Sequence, residues 1–206
     1  MAIGRLHVIT DTRPGCDALA VVTAAVQAGA PVVQVRGKEL TDRELYELTC
    51  RVLDVCTSHD ATCLVDDRLH VALGAGAHGV HVGEHDLPVD VARHVLGPDR
   101  ILGATARDPE TGLAHQAAGA TYLGVGPAYA TTTKSGLPGA LGVAGVARVA
   151  AAVDVPVIAI AGVTAERIPE LLDAGAYGVA VIGAISTADD PYLATEDLLR
   201  ALEKAP

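Results

Sequence analysis

One pattern runs the length of this chain and limits its fold more than any other feature: short β-branched runs alternate with Ala-, Val- and Leu-rich stretches of helical spacing. Strands are expected at 5–10, 31–36, 62–66, 79–82, 100–105, 122–126, 156–160 and 178–182. The intervening helices are expected from Asp17 to near Gly29, from Thr41 to about His59, in a short Ala/Leu stretch after Asp66-Asp67-Arg68, and at 88–96 and 109–118. Three more are expected at 143–153, from Thr164 to near Gly175, and at 191–204. Thr41 and Glu44 have the spacing of a capping box, Asp17 and Thr164 read as N-caps, and Pro88 suits a first helical turn. Similar Gly/Ala/Val junctions recur at 28–33, 74–80, 118–123 and 174–179.

Strand–helix alternation implies a parallel sheet, because each helix carries the chain back to start the next strand in the same direction. Eight such units in 206 residues predict an α/β fold, a compact (β/α)8 TIM barrel forming one domain over 1–206. A doubly wound sheet is the alternative, but it usually has five or six strands and no eightfold repetition. The apolar half of the chain fits the barrel: it contains no Phe or Trp and one Met, so small aliphatic side chains must fill strands buried on both faces.

The net charge of −10 argues against general nucleic-acid binding, while leaving room for a local basic cluster that holds an anionic substrate. Cys16, Cys50, Cys56 and Cys63 form no CxxC pair or disulfide-like framework, which suits a reduced, cytoplasmic protein. Met1 leads directly into a strand-like segment, and no apolar run approaches the roughly 18 residues of a membrane helix. A soluble protein with no membrane partner is expected.

In a barrel of this kind, functional groups come from the carboxyl ends of the strands and the loops after them. Those positions carry the least core-like residues of the chain. Gln34, Arg36 and Lys38 follow strand two, Asp66 and Asp67 strand three, and Glu84 and Asp86 strand four. Thr105 and Arg107 follow strand five, and Thr131, Thr132, Thr133 and Lys134 lie in the loop after strand six. The small pairs Ala161-Gly162 and Gly183-Ala184 close strands seven and eight, where backbone amides can approach a phosphate. Hydroxyls, backbone N–H groups and a fixed lysine charge suit phosphate oxygens, although Thr133 before Lys134 rules out a Walker A loop. Carboxylates from neighbouring strand ends, beside diphosphate oxygens, are the usual setting for Mg²⁺. Taken singly, Arg36 and Lys38 also fit surface charges paired with Glu39, and Asp66-Asp67 fits an ordinary turn. Their coincidence at one end of the barrel favours a site for anionic ligands.

His81-Val82-Gly83-Glu84-His85 matches the H-x-x-E-H pattern of inverted zincins. That site needs both histidines one helical turn apart, whereas this segment starts as a strand and breaks at Gly83. Zinc is not expected here. The other histidines, His7, His59, His70, His78, His94 and His115, show no shared spacing and are expected at the surface or at strand ends.

The ordered set QVRGK, VDDRLHVAL, GVHVGEHDLP, ILGATARD, YLGVGPAYATTTK and PVIAIAGVT followed by GVAVIGAI resembles the thiamine phosphate synthase family, which also includes the TenI thiazole tautomerases. The resemblance covers nearly the whole chain and implies a (β/α)8 enzyme. It implies a reaction joining hydroxymethylpyrimidine diphosphate to hydroxyethylthiazole phosphate, with diphosphate released. By the same resemblance, Asp67 and Asp86 hold Mg²⁺, and Arg36, Lys38 and Lys134 hold the diphosphate as the catalytic cations. Gln34 faces the pyrimidine, Asp66 and Thr105 line the substrate site, and Thr131, Thr133, Gly162 and Gly183 hold the thiazole phosphate. The implied partners are these two small molecules, with a homo-oligomer left open.

The chain departs from the family pattern at several places. Asp66 stands where the family usually has Asn, and a carboxylate there would repel diphosphate unless metal-bound or protonated. Thr105 replaces a Ser, Arg107 a frequent His, Ala161 the first of two glycines, and Gly183 a Ser. A thiazole tautomerase, or a non-catalytic paralogue that binds a phosphate ligand, therefore stands beside the synthase reading.

Overall fold

The computed structural model describes residues 3–131 and 138–203. Its strands are β1 (Leu6–Ile9), β2 (Val32–Val35), β3 (Thr62–Asp66), β4 (Gly79–Val82), β5 (Ile101–Ala106), β6 (Tyr122–Val125), β7 (Val157–Ile160) and β8 (Gly178–Val181). All pair in parallel in chain order, and the sheet closes where Leu6 aligns with Val179 and Val8 with Val181. Around the barrel lie α1 (Ala18–Gln27), α2 (Asp42–Thr57), α3 (Leu69–Ala75), α4 (Val89–Leu96), α5 (Pro109–Ala117), α6 (Gly142–Ala150), α7 (Ile168–Asp173), α8 (Gly183–Ser186) and α9 (Pro191–Glu203). The (β/α)8 expectation is met.

Local chemistry sets several of the boundaries. Thr41 and Glu44 form the full capping box at the start of α2, and Asp17 and Asp108 cap α1 and α5 by accepting from Ala20 and Thr111 amides. Other expectations shift. Pro88 precedes α4 as its cap rather than sitting inside its first turn, because Val89 is the first helical residue. Thr164 leads into a 3-10 turn, Ala165–Arg167, before α7 begins. The glycine after β8 opens the short helix α8 instead of an extended loop.

The two faces of the short strands divide the core. Leu6, Val8, Val33, Val35, Cys63 and Val65 pack outward against the helices, whereas Ile9, Val32, Leu64, Ile101, Tyr122, Ile158 and Ala180 pack together inside the barrel. In a chain without Phe or Trp, Tyr122 is the large ring of this interior. Gly103 makes room for it: a Cβ there would lie 2.2 Å from the Tyr122 Cζ. His7 also lies inside, 1% exposed, contrary to the surface or strand-end expectation. Its ring meets Tyr122 edge-on at 5.1 Å, and burial lowers its pKa to about 3, so it stays neutral.

Candidate active site

The carboxyl ends of β2, β3 and β4 bring together five of the charged residues expected from sequence. Thr10, buried at the end of β1, fixes the first of them: its hydroxyl donates to the Arg36 carbonyl at 2.7 Å and accepts from the Arg36 amide at 2.8 Å. The Arg36 guanidinium then lies 3.3 Å from Asp66, whose side chain is 10% exposed. The expected conflict between Asp66 and a diphosphate is thus altered, because the Asp66 charge faces Arg36 inside the protein. Arg36 and Lys38 are also not a surface pair with Glu39, since Lys38 meets Asp67 instead.

Asp67 sits in a tight turn with φ at +63°, a conformation that Asp tolerates better than most residues. Its amide donates to the His81 carbonyl at 2.8 Å, tying the turn to β4. Asp86 folds back on the same strand end and accepts from the Gly83 amide at 2.7 Å. The Asp86 pKa is raised, first by burial and then by the adjoining Asp67 carboxyl, while the Gly83 amide opposes the rise. Two hard carboxyl groups from neighbouring strands, one disfavoured as an anion by the other, form a donor set that suits a divalent cation. A cavity of about 700 Å³ opens beside them, lined in part by Lys38, Asp67, Asp86, Arg68 and His85.

Beneath this mouth lies a polar layer that sequence reasoning missed in part. Gln34 is 4% exposed and 3.5 Å from the Tyr122 hydroxyl. His81 Nδ1 lies 3.0 Å from that hydroxyl, and its Nε2 lies 3.0 Å from the Thr105 hydroxyl. The set closes if Tyr122 donates to Nδ1 and the Nε2–H donates to Thr105. The expected substrate residues Gln34 and Thr105 are thereby linked through His81 and Tyr122, which the sequence places in a rejected zinc motif and in a strand. His85, by contrast, lies in the exposed turn after β4.

The opposite rim is built by β6, β7 and β8. Beyond β6 and β7 the ladder continues, with the Ala128 amide donating to the Ile160 carbonyl at 2.7 Å and the Tyr129 amide to the Ala161 carbonyl at 3.1 Å. Ala161 and Gly162 have φ of +76° and +66°. The first is a strained position for a residue with a Cβ, costing about 1–2 kcal/mol, and explains why glycine suits this place. A Cβ on Gly162 would come within 2.7 Å of the Tyr129 Cβ. Thr131 lies in this rim and has interactions of its own, whereas Thr133 and Lys134 lie outside the described residues.

Arg107 braces the same rim. Its guanidinium donates to the Gly126 carbonyl at 3.1 Å, where β6 ends, and to the Gly139 carbonyl at 3.0 Å. Those two carbonyls lie on either side of the segment that contains Lys134. At β8, Ser186 of α8 donates to Asp11 at 2.7 Å, and Asp11 also accepts from the Arg13 guanidinium at 2.6 and 2.8 Å. The arginine holds the Asp11 carboxyl well below the usual range. This knot ties the loop after β1 to the short helix that begins at Gly183; Ser186 and Asp11 lie 175 positions apart, so nothing local in the sequence pairs them.

Comparison with known proteins bears on the family and the fold. The sequence pattern defining thiamine monophosphate synthase matches residues 6–185. The thiamine-phosphate synthase of Salinispora tropica is 59% identical over 204 residues, covering 98% of each chain. That of Haloarcula marismortui is 43% identical over 187 residues, covering 89% of each. Among solved structures, thiamine phosphate pyrophosphorylase from Pyrococcus furiosus superposes with a TM-score of 0.89 at 35% identity, over 97% of this chain and 96% of the other. No helix among the described residues is long and apolar enough to cross a membrane. With a family match across most of its length and near-complete coverage by close relatives, the chain belongs to the thiamine monophosphate synthase family.

Proposed function

We propose that this chain joins hydroxymethylpyrimidine diphosphate to hydroxyethylthiazole phosphate, releasing diphosphate and forming thiamine phosphate. The carrying observation is the charged group at one mouth of the barrel, Arg36, Lys38, Asp67 and Asp86, in a chain 59% identical to a thiamine-phosphate synthase. Asp67 and Asp86 would hold Mg²⁺, which when bound would stabilise negative charge on the diphosphate. Lys38 and Arg36 orient the diphosphate and, with Lys134, meet the charge that grows on its oxygen as the C–O bond breaks. The electron pair leaves with diphosphate, the electron-rich pyrimidine ring supports the remaining methylene cation, and the thiazole nitrogen attacks it to form the C–N bond. That nitrogen carries no proton, so the step needs no general base. Gln34, Asp66 and Thr105 line the pyrimidine side; Thr131, Thr133, Gly162 and Gly183 face the thiazole phosphate.

The Arg107 contacts disfavour a tautomerase. A guanidinium stays protonated near neutral pH and here donates to two carbonyls, so it makes a poor proton shuttle. The direct test is to mix the purified chain with both substrates and Mg²⁺ and measure thiamine phosphate. Product should form only when both substrates are present; none at any Mg²⁺ concentration would sink the synthase reading.

The Arg36–Asp66 pair makes a second prediction. Asp66→Asn keeps the side-chain shape but removes the charge that Arg36 faces. The guanidinium should then interact more strongly with diphosphate, lowering the KM for the pyrimidine diphosphate by about five- to tenfold, equivalent to about 1 kcal/mol. Steady-state kinetics checks it. A higher KM would mean that Asp66 serves to place Arg36 rather than to compete for it.

A further inference from the structure

We infer that Arg167 is the cation of the monophosphate subsite, a specificity residue for the phosphorylated thiazole. The inference rests on the proposed placement of that phosphate beside Gly162. Arg167 ends the 3-10 turn after β7 and reaches back to the barrel mouth, where its guanidinium donates to the Gly162 carbonyl at 2.5 Å. Its central carbon lies 4.4 Å from the centre of the Tyr129 ring. Tyr129 is held in turn by a 2.5 Å hydrogen bond from its hydroxyl to Glu170 and by its amide bond to Ala161. A charge on a long, exposed side chain is thereby kept against the loop it would serve.

The distribution of charge around the mouth sets Arg167 and Arg107 apart from the other arginines described there, and Arg107 is committed to bracing the rim. Arg36 and Lys38 each face a carboxylate, Asp66 and Asp67, on the β2–β3 side. Arg13 is bound to Asp11, and Arg107 braces two carbonyls on the β6 side of the rim. Arg167 meets a carbonyl and a ring face, and among the described residues no carboxylate oxygen lies within 4.0 Å of it. A carbonyl and a ring do not neutralise its positive charge, and the neighbouring Glu166 carboxylate acts on it only at a distance. A dianionic monophosphate at the Gly162 loop would compensate that charge, and backbone amides alone offer partial charges only. The uncharged hydroxyethyl analogue would gain nothing from it.

The test is steady-state kinetics on the full chain and on Arg167→Gln and Arg167→Lys, varying hydroxyethylthiazole phosphate and, separately, its unphosphorylated alcohol. Arg167→Gln should raise the KM for the phosphate about tenfold, leave that for the alcohol unchanged, and leave the KM for the pyrimidine diphosphate within about twofold. Arg167→Lys should recover most of the loss, and added KCl should weaken the phosphate preference of the unsubstituted chain more than that of Arg167→Gln. An equal rise for phosphate and alcohol would assign Arg167 a packing role and overturn the inference. So would an unchanged KM in Arg167→Gln while the unsubstituted chain still prefers the phosphate; the Gly162 placement would then survive without Arg167. If the unsubstituted chain does not discriminate phosphate from alcohol, the placement itself fails and the inference falls with it.

Discussion

Asp67→Asn is expected to lower turnover about 1,000-fold and to abolish its response to Mg²⁺, while hydroxyethylthiazole phosphate binds as before. Asparagine is the informative replacement because it tolerates the left-handed backbone that Asp67 adopts at φ +63°, whereas alanine would add strain to the chemical effect. The substitution removes one of two carboxylates proposed to hold the ion and also the partner of Lys38. A loss of about 4 kcal/mol of transition-state stabilisation corresponds to this rate change and lies within the several kcal/mol that a positioned metal supplies. Turnover measured across a Mg²⁺ titration, together with calorimetry on the thiazole phosphate, separates a catalytic loss from a folding defect. A variant with the unsubstituted chain's Mg²⁺ profile would refute the assignment of Asp67. Asp86, held by the Gly83 amide but disfavoured as an anion by Asp67, should lose part of its raised pKa in the same variant.

Gly103→Ala should destabilise the barrel by about 3 kcal/mol, the upper end of ordinary overpacking. The new methyl carbon would lie 2.2 Å from Tyr122 Cζ and 2.4 Å from its hydroxyl oxygen, where carbon contacts normally begin near about 3.5 Å. Tyr122 cannot easily withdraw, because His81 is hydrogen-bonded to its hydroxyl and His7 packs edge-on against its ring. Urea denaturation with fitted midpoint and slope measures the loss. The double variant Gly103→Ala with Tyr122→Leu should recover part of it by giving the methyl space. An unchanged midpoint for Gly103→Ala would mean that the interior is loose enough to absorb the overlap. Since Gln34 lies beside the same hydroxyl, the single variant should also raise the KM for the pyrimidine diphosphate.

Much of this architecture could be read directly from the residues. The strand–helix alternation implied a parallel (β/α)8 barrel because each helix must return the chain to the same end of the sheet, and the closed order from β1 to β8 agrees. The Thr41–Glu44 capping box was legible because capping is local, involving residues three apart. The chemistry of the mouth was legible at the level of residue type: Arg36, Lys38, Asp67 and Asp86 are costly inside a core and fell at strand ends.

What the sequence by itself determined is therefore the barrel, its functional end and the kinds of groups collected there. Tertiary structure decided which of those groups meet. Strands buried on both faces show little apolar–polar alternation, so nothing local announced that His7, His81 and Tyr122 point into the barrel. Nor could spacing show that Arg36 faces Asp66, that Arg107 joins Gly126 to Gly139, or that Arg167 reaches Gly162. Partners far apart in sequence meet only when strand register and sheet closure set their separation, and side-chain reach then selects a contact that periodicity does not encode. Charge pairing between neighbouring strand ends is a property of the folded sheet.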